Sequence, residues 1–152
     1  MIPANLKKLL NKNEFLVIAT SSLDGKPNAA PMFLVKADDK AIYLVDYALG
    51  TTWRNLEVNP QVSLSVSDLE TLKGFKLNGM VDVIKAGPLH KEILSELGEK
   101  VLTSTADRII SALKKNIKHK DFEIGMFEKF VVYQIKVKEI VEIGPKGTIQ
   151  RL

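Results

Sequence analysis

The chain has 152 residues, 45% of them hydrophobic and 26% charged, with a net charge of +4. This suits one domain with a real core and gives no sign of disorder. No apolar run approaches the ~20 residues of a spanning helix, and the absence of cysteine excludes disulfides, thiolate nucleophiles and thiolate-held metals.

The opening Met1-Ile-Pro-Ala-Asn-Leu-Lys-Lys8 lacks the basic head and long apolar run of a signal peptide, so a cytoplasmic protein is expected. Residues 3–12 read as a helix with Leu6, Leu9 and Leu10 at helical spacing. Glu14-Phe-Leu-Val-Ile-Ala-Thr20 reads as a buried strand. Asp24-Gly25 is a hairpin signal, with residues 27–36 as the returning strand. After a turn at Ala37-Asp-Asp-Lys40 comes a third strand over 41–47. Residues 48–58 read as a polar loop and a short helix, stopped by Asn59-Pro60.

The strand at 61–67 alternates, with Val62, Leu64 and Val66 on one face and Ser63, Ser65 and Ser67 on the other. The strand at 74–86 puts Phe75, Leu77, Val81 and Val83 together. Gly79 midway predicts a bulge or a close approach. Gly87-Pro88 opens a helical interval with Leu89, Ile93, Leu94 and Leu97 at helical spacing before Gly98. A second helix is expected with Ala106, Ile109, Ile110, Leu113 and Ile117 on one face. Residues 122–128 read as irregular, and 130–143 as a long strand with Val131, Tyr133, Ile135, Val137 and Val141 facing one way. Gly144-Pro-Lys-Gly147 ends it.

Six strands in local antiparallel order, with helices inserted late, predict a mainly β (α+β) domain. Its architecture is a six-stranded antiparallel β-barrel with peripheral helices, spanning 1–152 with a helical insert at 88–128. Regular strand–helix alternation, the mark of a parallel sheet, is missing.

Most familiar sites are excluded. There is no Gly-x-Gly-x-x-Gly, P-loop or Gly-x-Ser-x-Gly. His90 and His119 lack metal-ligand spacing, Asp38-Asp39 is turn chemistry, and Trp53 defaults to packing. The basic run Lys114-Lys-Asn-Ile-Lys-His-Lys120 sits at a helix end without interleaved aromatics, so neither nucleic acid nor membrane is expected as a partner. No self-sufficient catalytic constellation is present; any redox chemistry must come from a cofactor. One stretch stands out. The loop before Thr51-Thr-Trp-Arg-Asn-Leu56 delivers two hydroxyls onto a helix N-terminus, and Arg54 follows, which together make an anion cradle. The same residues also read as a helix cap with Arg54 facing water.

These pieces occur in a recognisable order: Leu16-Val-Ile-Ala-Thr20 with Asp24-Gly25 and Pro27-Asn-Ala-Ala-Pro-Met-Phe33; Ile42-Tyr-Leu-Val-Asp46; Thr51-Thr-Trp-Arg-Asn-Leu56 into Asn59-Pro-Gln-Val-Ser-Leu64; Gly74-Phe-Lys-Leu-Asn-Gly79; and Val131-Val-Tyr-Gln-Ile-Lys-Val-Lys138 into Glu139-Ile-Val-Glu-Ile143. In that order they resemble the FMN-binding split-barrel superfamily, the pyridoxamine 5′-phosphate oxidase-like proteins, over 5–86 and 130–143.

The resemblance implies a homodimer with FMN at the subunit interface. It implies phosphate against Thr51, Thr52, Arg54 and Asn55, and the flavin ring along Ala30, Pro31, Met32 and Phe33. Val45, Asp46 and Tyr47 would border the ring or ribityl chain, and Gly74, Phe75 and Lys76 would close the pocket. Thr51 stands where many relatives carry a basic residue. The C-terminal basic and histidine residues that grip pyridoxamine phosphate are missing, so vitamin B6 oxidation is not expected. Three readings remain: an FMN-dependent oxidoreductase with a nicotinamide donor and an unidentified acceptor; a non-catalytic flavin-binding or electron-transfer protein; or a barrel binding a deazaflavin (F420-type) cofactor, haem or nucleic acid.

Overall fold

The Asp24-Gly25 turn works as its residues demand: Gly25 takes φ +85°, a left-handed value open to glycine, and returns the chain along the first strand. In this computed structural model the described residues are 1–114 and 130–152, with only the backbone described at 104–106, 108, 109 and 111–114. The elements are α1 (Ala4–Asn11), β1 (Phe15–Ser21), β2 (Pro27–Ala37), β3 (Ile42–Asp46), α2 (Thr51–Val58), β4 (Gln61–Asp68), β5 (Lys73–Ile84), α3 (Pro88–Lys114), β6 (Val131–Ile143) and β7 (Ile149–Arg151).

The strands run in the order β3-β2-β1-β4-β5-β6, every pair antiparallel, and β3 pairs with β6 to close the barrel. The expected six-stranded barrel is therefore present. The sequence reading did not foresee β7, which adds three residues to the far end of β6. No helix among the described residues is long and apolar enough to cross a membrane.

Two cores result. Inside the barrel lie Ile18, Leu34, Leu44, Leu64, Leu77, Tyr133 and Ile135, and α1 plugs one end with Leu6 and Leu10. Each such aliphatic side chain taken from water contributes about 1.5–3 kcal/mol. Outside the barrel, Val35, Tyr43, Val45 and Val132 meet Ile93 and Leu97 of α3. This explains why β3 is buried on both faces: Ile42 and Leu44 point inward while Tyr43 and Val45 lie under the helix. Lys36 fastens the helix through Glu92 at 2.8 Å and Glu96 at 2.6 Å.

The expected alternation on β4 and β5 holds, with Val62, Leu64, Val66, Phe75, Leu77 and Val81 all in the barrel core and Val83 packed against it. Gly79 does both things its position suggested. It sits at a bulge against β6, and a Cβ there would lie 2.5 Å from the Lys136 carbonyl oxygen.

Three expectations are corrected. The helical insert is one continuous helix from Pro88 to Lys114, running through Gly98 rather than stopping there. Leu94 is 43% exposed, while Ile93 and Leu97 carry the packing. On β6 the bulge at residue 138 shifts the phase, so Ile140 joins the barrel core in place of Val141. The face expected from Ala106, Ile109, Leu113 and Ile117, the basic run at 114–120, His119 and the irregular stretch 122–128 lie wholly or in their side chains outside the described residues.

Candidate functional site

β2 is too long for its neighbours. It pairs with β1 over residues 27–33 but with β3 only from Phe33 onward, so residues 28–32 have a strand on one side alone. Proline has no N–H to donate and belongs where a ladder is incomplete, and Pro31 stands in this one-sided half. Opposite the open edge runs the loop that leaves β3 at Asp46 and enters α2 at Thr51. Between them lies a cleft of about 220 Å³ lined by Phe15, Asn28, Ala30, Pro31, Met32, Phe33, Asp46, Tyr47, Ala48, Gly50, Thr51 and Thr52.

Its apolar end is built from Ala30, Pro31, Met32 and two aromatic rings. Phe15 meets Phe33 edge to face, centroids 5.3 Å apart at 83°, because the two residues are cross-strand partners. Behind Phe33 the ammonium of Lys100 on α3 lies 5.7 Å from the ring centroid. It donates to the carbonyls of Leu34 (2.5 Å), Asn13 (3.3 Å) and Val35 (3.4 Å). Burial pulls its pKa below the usual lysine range, with the Glu14 carboxylate opposing.

Its polar end is the start of α2. Gly50 caps the helix without a side-chain hydrogen bond, and the first bond inside the helix runs from Arg54 N–H to the Gly50 carbonyl at 3.1 Å. The N–H groups of residues 51–53 therefore have no partner within the helix, and the positive end of its dipole faces the cleft. Both hydroxyls are held as acceptors from behind. Asn28 Nδ2 donates to Thr52 Oγ1 at 3.0 Å, and Arg54 Nη2 donates to Thr51 Oγ1 at 3.0 Å. A hydroxyl whose oxygen already accepts keeps its proton to give elsewhere. The end of the cleft is thus a set of donors: backbone amides, two hydroxyl protons and a neighbouring guanidinium.

A buried polar network sets this end in place. Thr20, Thr52 and Asn55 are all buried. Thr20 Oγ1 accepts from Asn55 Nδ2 at 3.0 Å and from Asn28 Nδ2 at 3.3 Å. On the loop's other side, Asp46 Oδ1 accepts the N–H groups of Ala48 (2.9 Å) and Leu49 (3.1 Å), and its Oδ2 accepts the Tyr133 hydroxyl at 2.6 Å. Burial, and then the Asp46 carboxylate, hold that phenol protonated far above the usual tyrosine range.

The cleft thus brings together Ala30, Pro31, Met32, Phe33, Asp46, Tyr47, Thr51 and Thr52 from the residues singled out in the sequence. Arg54 reaches it through Thr51. Asn55 faces inward, bonded to Thr20. Val45 is fully buried beneath α3. Gly74, Phe75 and Lys76 lie on β5, which β1 and β4 separate from β2; Phe75 is in the barrel core and Lys76 points to solvent. Phe15 and Asn28 were missed. Phe15 is distant in sequence and only the β1–β2 register brings it to Phe33, whereas Asn28 lies on β2 just before Ala30 and only the fold sets it against Thr52.

Comparison with known proteins places this geometry. The pyridoxamine 5′-phosphate oxidase family model matches residues 2–143. An uncharacterized protein of Methanocaldococcus jannaschii is 30% identical over 112 residues, 72% of this chain; the match spans 66% of that protein's length. Among solved structures, HutZ, the heme storage protein of Vibrio cholerae, superposes with a TM-score of 0.62 at 18% identity, covering 90% of each chain. A pyridoxamine 5′-phosphate oxidase-related, FMN-binding protein of Nostoc punctiforme gives 0.60 at 14% identity, covering 99% of this chain and 90% of that one. At these identities the two structures speak for the fold alone.

Proposed function

Because the chain belongs to the pyridoxamine 5′-phosphate oxidase family, we propose that its cleft holds FMN and that the protein is a flavin-dependent oxidoreductase or electron carrier. The observation that carries this reading is the polar end of the cleft. Uncapped amides, two hydroxyls oriented as donors and Arg54 match a dianionic phosphate, and the slot of Phe15, Pro31 and Phe33 beyond them matches a flat ring. When bound, the flavin supplies the redox chemistry; the chain anchors its phosphate, walls its ring and excludes water from one face.

A cleft of about 220 Å³ is smaller than the roughly 300–1,000 Å³ of typical cofactor sites, so one chain supplies part of the pocket. The face beside it is apolar and open: Phe15 and Val17 are 47% and 46% exposed, next to exposed Ala29 and Pro31. A second copy covering that face would complete the slot and bury these side chains, which supports a homodimer. Nicotinamide as electron donor fits an open approach to the ring.

Haem is the second reading, favoured by the likeness to HutZ. Among the described residues, the side chains lining the cleft include no histidine. His90 is stacked on Phe130 with its Nε2 3.3 Å from the Phe130 carbonyl oxygen. A dianionic phosphate also matches the donors of the cradle better than a singly charged haem propionate, which is why FMN stands first. A deazaflavin phosphate would use the same cradle.

The absorption spectrum of the concentrated protein, followed by mass analysis of whatever heat releases, decides among them. Flavin bands and a released FMN mass are expected. A haem Soret band, or a colourless protein that takes up no added FMN, would overturn the reading. Rapid oxidation of reduced nicotinamide by the loaded protein would separate enzyme from carrier.

A further inference from the structure

The amides and hydroxyls of the cradle are only as well aimed as the turn that leads into them. That turn is unusual. Leu49 adopts φ +49°, the left-handed region that branched, bulky residues avoid, immediately before Gly50 and the first helical residue. Something must hold it there. Asp46, 3% exposed, does so by accepting the N–H groups of Ala48 and Leu49 on one carboxylate oxygen. A carboxylate can rotate about its own side chain, and the second oxygen decides whether it does. That oxygen takes the Tyr133 hydroxyl at 2.6 Å.

Tyr133 is fully buried on β6, one strand across from β3, where its backbone pairs with Leu44. The phenol therefore arrives from the barrel interior, on a strand none of whose residues lines the cleft. The chain of contact runs from β6 through Tyr133 and Asp46 to the turn at 48–50, and from there to Thr51 and Thr52. Neither member of this pair donates to the polar end of the cleft; Tyr133 does not line the cleft at all.

We propose that Tyr133 is a positioning residue for the cofactor phosphate: through Asp46 it fixes the 48–50 turn and so aims the α2 amides and the two threonine hydroxyls. This rests on the FMN reading and adds to it the statement that the barrel core sets phosphate affinity. A purely structural tyrosine would have a different signature. It would weaken every ligand of the cleft alike, since its loss would loosen the pocket as a whole.

The test uses two flavins that differ only in the phosphate. FMN and riboflavin are titrated against wild type, Tyr133→Phe and Asp46→Asn, following flavin fluorescence. Tyr133→Phe is expected to weaken FMN about tenfold, the size of one lost charge-assisted hydrogen bond, and to leave riboflavin within about twofold. Asp46→Asn keeps an acceptor for the two amides but turns the group facing the phenol into a donor, and is expected to show the same selective loss. Equal losses for both flavins, or no loss for either, overturn the proposal. Hydrogen exchange separates this from failure of the FMN reading. Wild type binding neither flavin sinks that reading. Faster exchange of the Ala48 and Leu49 amides in Tyr133→Phe still establishes the link from phenol to turn, and unchanged exchange there rejects it.

Discussion

The two halves of β2 have opposite surroundings within eleven residues. From Phe33 to Ala37 the strand pairs with β3, gives further backbone groups to Glu14, Asn11 and Lys100, and has Leu34 in the barrel core and Val35 under α3. From Asn28 to Met32 it is paired on one side, and Ala29 and Pro31 are exposed. The closed half is where apolar area is buried and stability resides. The open half buries little and presents an edge, an apolar wall and a route to the donors of α2. A small barrel makes a binding cleft by letting one strand outrun its neighbour, and the change happens beside the bulge between Leu34 and Lys36.

The comparison breaks most easily with a pair of truncations. Leu34→Ala in the closed half empties a fully buried site and is expected to cost about 3 kcal/mol, with FMN affinity of the folded protein unchanged. Pro31→Ala in the open half should move stability by less than about 1 kcal/mol, since an exposed, one-sided position has little packing to lose. Its effect should appear in flavin binding instead. Urea melts and flavin titrations of both variants measure this; a Pro31→Ala protein as destabilised as Leu34→Ala would erase the distinction between the halves.

A second pair sharpens it at the helix start, where two adjacent threonines differ in burial. Thr52→Val removes a buried hydroxyl and deprives half-buried Asn28 of an acceptor, and should cost about 1–3 kcal/mol of stability as well as FMN affinity. Thr51→Val removes an exposed hydroxyl whose donor, Arg54, can turn to water. Stability should stay within about 0.5 kcal/mol while FMN weakens several-fold. Equal stability losses would mean that the Thr20–Asn28–Thr52–Asn55 network does not tie α2 to the barrel.

The barrel was legible because its strands carry strong period-two patterns, as at Val62, Leu64 and Val66, and because Asp24-Gly25 and Asn59-Pro60 punctuate the chain where it turns. The continuous α3 was not. Gly98 looks like a stop, yet no neighbouring atom crowds it, and Ile93 and Leu97 before it and Val101 after it pack against the barrel, so packing outweighs the roughly 1 kcal/mol that an interior glycine costs. The phase shift at residue 138 was hidden because Val137 and Val141 are both apolar and fit an unbroken strand equally well. At the site, the cradle residues announced themselves by type, while Asn55 bonds to Thr20 rather than lining the cleft. Its spacing from Thr52 and Leu56 puts all three on the buried face of α2, and that periodicity was there to be read. The partnership of Asp46 with Tyr133 spans 87 residues and has no local signal at all.

The smallest expected effect is on alkaline stability, and its sign divides within the closed half. Tyr133, behind the open half, keeps its proton in the fold because burial and then Asp46 disfavour the phenolate. An acid with a raised folded pKa contributes fully below its unfolded value of about 10 and loses that contribution as pH rises further. Lys36 in the closed half behaves alike in sign. Burial opposes its charge, but the hydrogen bonds to Glu92 and then Glu96 outweigh it and raise its pKa above 10.5. Lys100, also in the closed half, is shifted the other way by burial, so the fold binds its proton less tightly than the unfolded chain does. Its contribution therefore grows with pH up to about 10.5, where it partly offsets the onset of the Tyr133 loss. Urea melts between pH 8.5 and pH 11 should show wild-type stability falling above about pH 10. Tyr133→Phe should flatten that fall, whereas Lys100→Met should steepen the decline by removing the opposing rise. A Lys100→Met protein with a shallower decline than wild type would show that this ammonium is not desolvated against the β2 carbonyls.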